Sequence, residues 1–565
     1  MTFCIVLGIS DFEHDAAAAL FDSGRLVAAI EEDKLARSSP TNGIPRLAIE
    51  HCLRVAGARI TDVALAGVAS RPMRAWLRNK RLHPMTPVSS SGALYRSGFH
   101  NGVSWKVNQL QFLRQQLSPQ SRFVNLEHHH CHAASAFYPS EFDRALVLTL
   151  DESGDMWSGL LALGEGTDLH ILRPIRFPNS LGWFYTQVTK LLGFRPGRDE
   201  HKVQWLSKEG TPEFISVFRR LFSRDPEGLP SINLHLCING LAGPPTFSPE
   251  LCRELQISQL SPPRSSPLGA VIARSAQDFL EETVIDLAEA YRTKTGAKYL
   301  CVAGGIFLNV LLVRALEKRT GFDKVFAQPV AGNPGTALGA AYLAEKHLHG
   351  VPGRAPLRHL FFGPKFDDDQ IKSVLDNCIT IYRYFPSDTQ LLEAAVRLLH
   401  ADDIVAWHQG GLEFGHRALG NRSILASPFS PYVIENLNKY VKHREDFHPF
   451  ALSVPAEKAS VFFDCTDNCR FMVSVGTLKE SLEGLDRFTF NDRSVRLHTV
   501  EREVNPRFWA LLHKFGEGAP APILVNTSFN LFEEPLVCDP RDAVRTYASS
   551  AIGALVIDNY LLVKP

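Results

Sequence analysis

The sequence has no excess of charge of either sign. Lys+Arg and Asp+Glu both number 60 in 565 residues, so the formal net charge at pH 7 is zero. Nonspecific grip on nucleic acid needs a basic excess, so no nucleic-acid partner is expected. Long apolar runs are also missing: none approaches the ~18 residues of a membrane helix, and no membrane partner is expected. The opening Met1-Thr2-Phe3-Cys4-Ile5 has no basic region followed by an apolar core. It reads as a first strand and not as an export signal. The ten cysteines form no Cys-x-x-Cys pair, and Cys465 with Cys469 is a weak metal pattern. Scattered thiols suit a reducing cytoplasm. No Gly-x-x-x-x-Gly-Lys-Ser/Thr loop occurs, so any phosphate must be held by side chains and other backbone amides. Low-complexity tracts and short repeats are absent as well.

What is present is an α/β pattern. Ile5–Ile9 is an apolar strand, Ala16–Phe21 a second, and Arg25–Ile30 a third, returning after the turn Asp22-Ser23-Gly24. The loop Ser10–Asp15 sits at a strand end, where functional loops usually lie. Strand-then-loop units recur at Ala145–Leu150, followed by Asp151, and at Tyr299–Ala303, followed by Gly304-Gly305. A helical pattern spans Gln277–Lys294. Such repetition predicts a duplicated α/β domain. The Pro/Gly-rich stretch Val351–Pro364 marks a boundary, giving domains 1–355 and 356–565. The second is a further α/β unit ending in the strand Ala554–Asp558.

The least ordinary segment is Glu127-His128-His129-His130-Cys131-His132. With 21 His in the chain, four in five positions arises by chance on the order of 10⁻⁵ per window. Small apolar residues continue it as a helix, which puts His128 and His132 at i and i+4 on one face. Two imidazoles so placed can share a metal ion, and Asp151 at a strand end would complete two His and one carboxylate. That set suits iron(II), with manganese or zinc as rivals. The alternative is a helix N-terminus with solvated histidines.

Together with His14-Asp15 and Asp151-Glu152-Ser153-Gly154, this segment resembles the nodulation-protein and cephalosporin O-carbamoyltransferase family. Further matches are Leu181–Tyr185, Ala303–Asn309, Gly335–Ala341, Phe414–Ser423 and Asn526–Asn530, so the resemblance spans essentially the whole chain. It implies an N-terminal actin/hexokinase-like domain similar to the threonylcarbamoyl-transferring ATPases, and a C-terminal YrdC-like domain. It implies that carbamoyl phosphate and ATP, with Mg²⁺, give a carbamoyl adenylate in the second domain. The carbamoyl group would then pass in the first domain to a hydroxyl of a small molecule, as in natural-product or antibiotic biosynthesis. His128, His132 and Asp151 would hold the metal, with Asn333 where the family has an Asp. Gly304, Gly305 and Asn309 would line a nucleotide pocket. His14 would assist hydroxyl deprotonation or orient the carbamoyl group, with a satisfied loop histidine as the alternative. Polyanionic substrates call for Arg and Lys; Arg417, Arg422, Lys442, Arg444 and Arg496 are available, with surface ion pairs the other reading of Arg417 and Arg422. Lys442 and Arg417 are the catalytic candidates there. Asn526, Ser528 and Asn530 follow a strand Ile523–Val525 as nucleotide contacts or as a side-chain-stabilised turn.

The chain departs from the family pattern at Asn333, which removes a negative charge, at His416 and His448, and over His201–Ser207. A sugar-kinase-like phosphotransferase and a nucleotide-binding regulator of tRNA modification are the competing readings. A cytoplasmic monomer or homodimer is expected.

Overall fold

The computed structural model describes residues 4–38, 41–82, 90–238, 245–257, 264–482, 484–531 and 533–564. Residues 1–3 of the expected opening strand lie outside the described residues. The chain forms two compact units, one of residues 1–28 and 41–356, the other of 29–40 and 357–565.

The first unit begins with β1 (Ile5–Ile9), β2 (Ala17–Asp22) and β3 (Arg25–Glu31). Gly24, at φ +79°, makes the turn between β2 and β3. With β4 (Val63–Val68) and β5 (Arg122–Asn125) they form a sheet in the order β3-β2-β1-β4-β5. β2 runs antiparallel to β1, β4 runs parallel to β1, and β5 runs parallel to β4. A second sheet contains β6 (Arg144–Gly154), β7 (Trp157–Glu165) and β8 (Asp168–Arg176). Two short antiparallel pairs follow, β9 (Phe222–Arg224) with β10 (Pro230–Ile232), and β11 (Cys237–Ile238) with β12 (Thr246–Phe247). β13 (Tyr299–Ala303) and β14 (Lys324–Ala327) then complete the order β14-β13-β6-β7-β8. β7 is antiparallel to β6, β13 parallel to β6, and β14 parallel to β13. The two sheets therefore share one topology: a meander on one side of the first strand, two parallel strands on the other. This is the expected duplicated α/β domain.

The helix expected over Gln277–Lys294 runs from Pro267 to Thr295. Ser266 caps its start and Gly296, in the left-handed region at φ +64°, ends it. The Gly335–His349 helix explains its own small residues. A Cβ on Gly339 would stand 1.8 Å from the Cys131 carbonyl oxygen, and one on Gly8 of β1 would stand 2.1 Å from that of Ala337. Backbones this close tolerate only glycine.

The second unit is built on a ten-stranded sheet. Its strands are β15 (Arg383–Tyr384), β16 (Val405–His408), β17 (Arg422–Ala426), β18 (Ala451–Pro455), β19 (Phe463–Asp464), β20 (Val475–Leu478), β21 (Ser494–Val500), β22 (Leu524–Ser528), β23 (Ala554–Ile557) and β24 (Tyr560–Val563). Their order is β15-β24-β23-β16-β17-β22-β18-β21-β20-β19. One face packs Ile424, Leu452, Leu497 and Val525 into a core with Ile371 and Ala543. The other packs Trp407, Leu425 and Leu524 against Phe508, Leu511 and Phe515. Helices thus cover both faces, and the central strands are buried throughout. The expected last strand is β23, and β24 returns antiparallel beside it.

Candidate active sites

In the first unit, chemistry-bearing residues lie in or just past the carboxyl-terminal parts of β1, β6 and β13, where open α/β sheets bind ligands. The His128–Phe137 helix is capped by Glu127, whose carboxylate accepts the His130 N–H at 3.0 Å. One turn apart, His128 and His132 bring their Nε2 atoms to 3.1 Å. Asp151 Oδ2 is 3.2 Å from His132 Nε2 and 3.9 Å from His128 Nε2. Two nitrogens about 2.1 Å from one ion are about 3.0–3.4 Å apart at octahedral to tetrahedral angles, so this trio fits a shared divalent ion. The histidines are not solvated: His128 is 5% exposed and His132 0%.

Asp151 sits in a bulge and not at the strand end expected. β6 continues to Gly154, and its pairing with β7 shifts between Leu150 and Gly154. The bulge needs its glycine, because a Cβ on Gly154 would lie 2.1 Å from His128 Cδ2. Gly304 and Gly305 serve the same corner. A Cβ on Gly304 (φ +101°) would meet Leu150 O at 2.2 Å, and one on Gly305 would meet Asp151 Oδ1 at 2.9 Å.

Behind the trio lie residues that the sequence did not single out. Asp11, buried, holds Lys106 Nζ at 2.9 Å and stands 3.7 Å from His128 Nδ1. Lys106 also meets Glu13 at 2.8 Å. Asp155 accepts the backbone N–H of Arg71 at 2.9 Å and of His128 at 3.2 Å. Burial acts to lower the His128 pKa, but Asp11 and Asp151 overcome it and raise it to about 10. Burial pushes His132 down. Burial would raise Asp151, yet the two imidazoles hold it well below the usual carboxylate range.

The structure adds contacts to three expected site residues. The His14 side chain is 60% exposed, and its bond to Asp15 (3.1 Å) raises its pKa to about 9. It is charged at neutral pH and suits proton donation, not deprotonation of a hydroxyl. Asn333 Nδ2 donates to the backbone carbonyls of Asp11 (3.1 Å) and His14, bracing that loop, and its Oδ1 meets Thr336 Oγ1 at 3.5 Å. Asn309 caps the Val310–Arg319 helix, and its Nδ2 donates to Gln277 at 2.7 Å, so its side chain is used internally.

In the second unit the structure brings together Lys442, Ser528 and Asn530. Lys442 Nζ, buried, donates toward Ser528 Oγ at 3.2 Å, Asn530 O at 3.0 Å and Asn530 Oδ1 at 2.8 Å. Burial, with Arg444 nearby, holds its pKa well below the usual lysine value. Arg444 stacks on Phe450 at 4.0 Å and donates from Nε to Asn438 at 3.1 Å, and its buried Nη2 has no partner among the described residues. Burial lowers its pKa to about 9, and that of Arg496 to about 10. Arg496 Nε and Arg417 Nε are likewise buried without partners. Arg496, Ala451 and Asn526 are aligned across β21, β18 and β22. Asn526 is therefore a residue within the sheet, not one that follows a strand.

Arg422 is a correction. It is 0% exposed and donates only to backbone carbonyls, those of Gln409 (2.6 Å), Gly410, Asn421, Pro364 and Cys538. It ties the sheet to its loops and has no donor to spare for phosphate. The loop between Glu413 and Arg422 is held from within and from residues 29–40. Glu413 Oε1 accepts the N–H groups of Leu419 (2.8 Å), Asn421 (3.0 Å) and Arg422 (3.2 Å). Lys34 Nζ donates to the carbonyls of Glu413 (2.7 Å) and Gly415 (2.6 Å) and pairs with Glu31 at 2.9 Å. Glu31 accepts the Gly415 N–H at 2.7 Å. Arg417 belongs to this clamped loop.

A duplicated α/β unit with a two-His, one-carboxylate cluster stands beside a second unit that carries Lys442, Arg444 and Arg496 without a carboxylate partner among the described residues. Residues 5–342 match the carbamoyltransferase N-terminus family and residues 396–564 the carbamoyltransferase C-terminus family. The chain belongs to the carbamoyltransferase family and is an enzyme of that class. It is 32% identical to nodulation protein NolNO of Sinorhizobium fredii, over 98% of this chain and 79% of that one. It is 35% identical to nodulation protein NolO of Bradyrhizobium diazoefficiens, over 78% and 79%. An uncharacterized protein of Synechocystis sp. is 30% identical over 99% and 96%. Among solved structures, full-length HypF in its phosphate- and nucleotide-bound form covers 61% of this chain and 56% of its own at 12% identity. Its TM-score of 0.35 is too low for fold or function to transfer. No helix among the described residues is long and apolar enough to cross a membrane.

Proposed function

We propose that the chain is an ATP-dependent O-carbamoyltransferase that makes carbamoyl adenylate in its second unit and transfers the carbamoyl group in its first. The observation that carries this is the set Lys442, Arg444 and Arg496: a buried lysine and two half-buried arginines, none in an ion pair among the described residues. Buried positive charge without a counter-charge is costly, and a polyanionic substrate relieves it. ATP and carbamoyl phosphate, with Mg²⁺, supply that charge. Hydrolysis of carbamoyl phosphate gives carbamate and phosphate. A carbamate oxygen attacks the α-phosphorus of ATP and pyrophosphate leaves. Lys442 and Arg417 would hold the phosphoryl oxygens, and this unit would play a YrdC-like role.

In the first unit, a hydroxyl oxygen of a small-molecule acceptor attacks the carbamoyl carbon, AMP leaves with the bonding pair, and the hydroxyl proton passes to solvent. His128, His132 and Asp151 would hold a divalent ion, iron(II) first by ligand type. Once bound, it supplies positive charge against the departing phosphate. Charged His14 would donate a hydrogen bond to the carbamoyl oxygen. A place in natural-product biosynthesis, in the cytoplasm, is part of the same proposal.

Incubation with ATP and carbamoyl phosphate should release pyrophosphate and, with an acceptor, AMP. Lys442→Ala should abolish pyrophosphate release. His132→Ala should keep it and block transfer. ADP as the nucleotide product, or normal transfer by His132→Ala, would sink the scheme.

A further inference from the structure

His129 follows His128 in the chain, is 0% exposed, and takes no part in the His128, His132 and Asp151 trio. Both of its ring nitrogens are used elsewhere. Nε2 is 3.1 Å from the Trp157 carbonyl, which can only accept, so this nitrogen carries a proton. Nδ1 is 3.0 Å from the Thr149 hydroxyl. A ring so occupied has no lone pair left for an ion.

The two contacts fall on either side of the bulge that carries Asp151. Thr149 pairs with Leu160 before the bulge, and Trp157 pairs with Gly154 after it. The His129 ring therefore joins β6 to β7 across the two ends of the bulge. It is also the second residue of the His128–Phe137 helix, so it ties both strands to the helix that supplies the imidazoles. Other contacts hold the remaining parts. Ser180 Oγ donates to the carbonyls of Asp151 at 3.0 Å and Glu152 at 2.7 Å, which fixes the bulge itself. At the far end of the helix, the Phe137 ring lies so close to β7 that a Cβ on Gly164 would stand 2.5 Å from it. At the near end, two bonds from one planar ring to two strands set both the distance and the rotation of the helix. The ring centre is 5.3 Å from that of His128 and 5.8 Å from that of His132. In a close-packed interior a shift of this ring is passed to both.

We propose that His129 is a positioning residue of the transfer site: by bonding Thr149 and Trp157 it holds Asp151 and the pair His128 and His132 at the spacing a shared divalent ion needs. It touches neither ion nor substrate. The inference rests on the reading of the trio as metal-holding. Cobalt(II) alone, titrated into the full chain and followed by its visible absorption, reads both affinity and coordination geometry. Thr149→Val keeps the branched shape, removes the hydroxyl and should weaken cobalt(II) about fivefold. Thr149→Ser keeps a hydroxyl and should bind within about twofold of the unaltered chain. His129→Leu removes both bonds, and should weaken binding about 10–100-fold and change the absorption band. Thr149→Val keeps the test open if His129→Leu fails to fold. Unchanged affinity in Thr149→Val, or in a folded His129→Leu, overturns the role. So does less bound cobalt(II) at unchanged affinity and spectrum, which marks a residue that serves folding alone. Complete loss of binding in His129→Leu with none in Thr149→Val marks a ligand instead, and overturns it as well. His132→Ala separates the two readings: unchanged cobalt(II) binding there, or no binding by the unaltered chain, overturns the metal-holding reading itself.

Discussion

Replacing Lys34 by methionine removes one partner of a buried ion pair whose side chains are 4% and 7% exposed. Three contacts disappear: the pair with Glu31 (2.9 Å) and the donations to the carbonyls of Glu413 (2.7 Å) and Gly415 (2.6 Å). Glu31 keeps only the Gly415 N–H at 2.7 Å, and its charge is left uncompensated. Breaking such a pair from one side costs about 3–5 kcal/mol. For a unit of this size that is a fall of about 6–20 °C in the midpoint of its thermal transition. Glu31→Gln together with Lys34→Met removes both charges and retains an acceptor for Gly415, so the double variant should lie above Lys34→Met alone. Because Gly415 precedes Arg417, pyrophosphate release should fall in the single variant more than the loss of folded protein accounts for. Differential scanning calorimetry and the pyrophosphate assay at a temperature where both proteins are folded read the two effects. A shift under about 2 °C for Lys34→Met, or a double variant no better than the single, would refute the reasoning.

Other expectations follow from the same geometry. Gly154→Ala puts a methyl 2.1 Å from His128 Cδ2, and should lower iron(II) or zinc affinity at least about tenfold, by displacing a ligand, while pyrophosphate release stays normal. In the metal-free protein the His128 pKa is raised to about 10, so between pH 6 and 9 this ring is charged and must lose a proton to become a ligand. Metal affinity should therefore rise about tenfold per pH unit across that window, with proton release visible as a buffer-dependent heat; a flat profile contradicts it. Arg422→Met strips at least five backbone carbonyls of their donor and should abolish soluble folded protein, not merely raise the KM for ATP; a folded variant with a selective KM effect would return Arg422 to phosphate binding.

Features set by nearby residues were legible in the sequence. The His128/His132 pair follows from helical spacing alone, and the β2–β3 turn from Ser23-Gly24. Asp151 was found through its place after an apolar strand, but the bulge that turns its carboxylate toward His132 depends on Gly154 and Gly305, which only packing explains. Polar residues were harder. Arg422 and Arg417 lie five apart in one motif and look alike as letters; one is consumed by carbonyls, the other keeps an unpartnered Nε. Asn309 was read as a ligand contact, although Asn before an apolar helix is also the ordinary capping pattern. Lys106 meets Asp11 across 95 positions, and Lys34 meets Glu413 across 379. No local pattern could have joined them.

The membership of residues 29–40 has a practical consequence for taking the protein apart. A fragment beginning at 357 would hold the ten-stranded sheet and every cation proposed to meet ATP, yet it would lack Glu31, Lys34 and Arg37. The last of these donates to the Pro535 carbonyl at 3.1 Å and pairs with Asp542 at 3.1 Å. Such a fragment would be a lock missing its wards. Adding back a peptide of residues 29–40, or grafting it ahead of residue 357 through a flexible linker, should recover whatever activity the truncated half has lost.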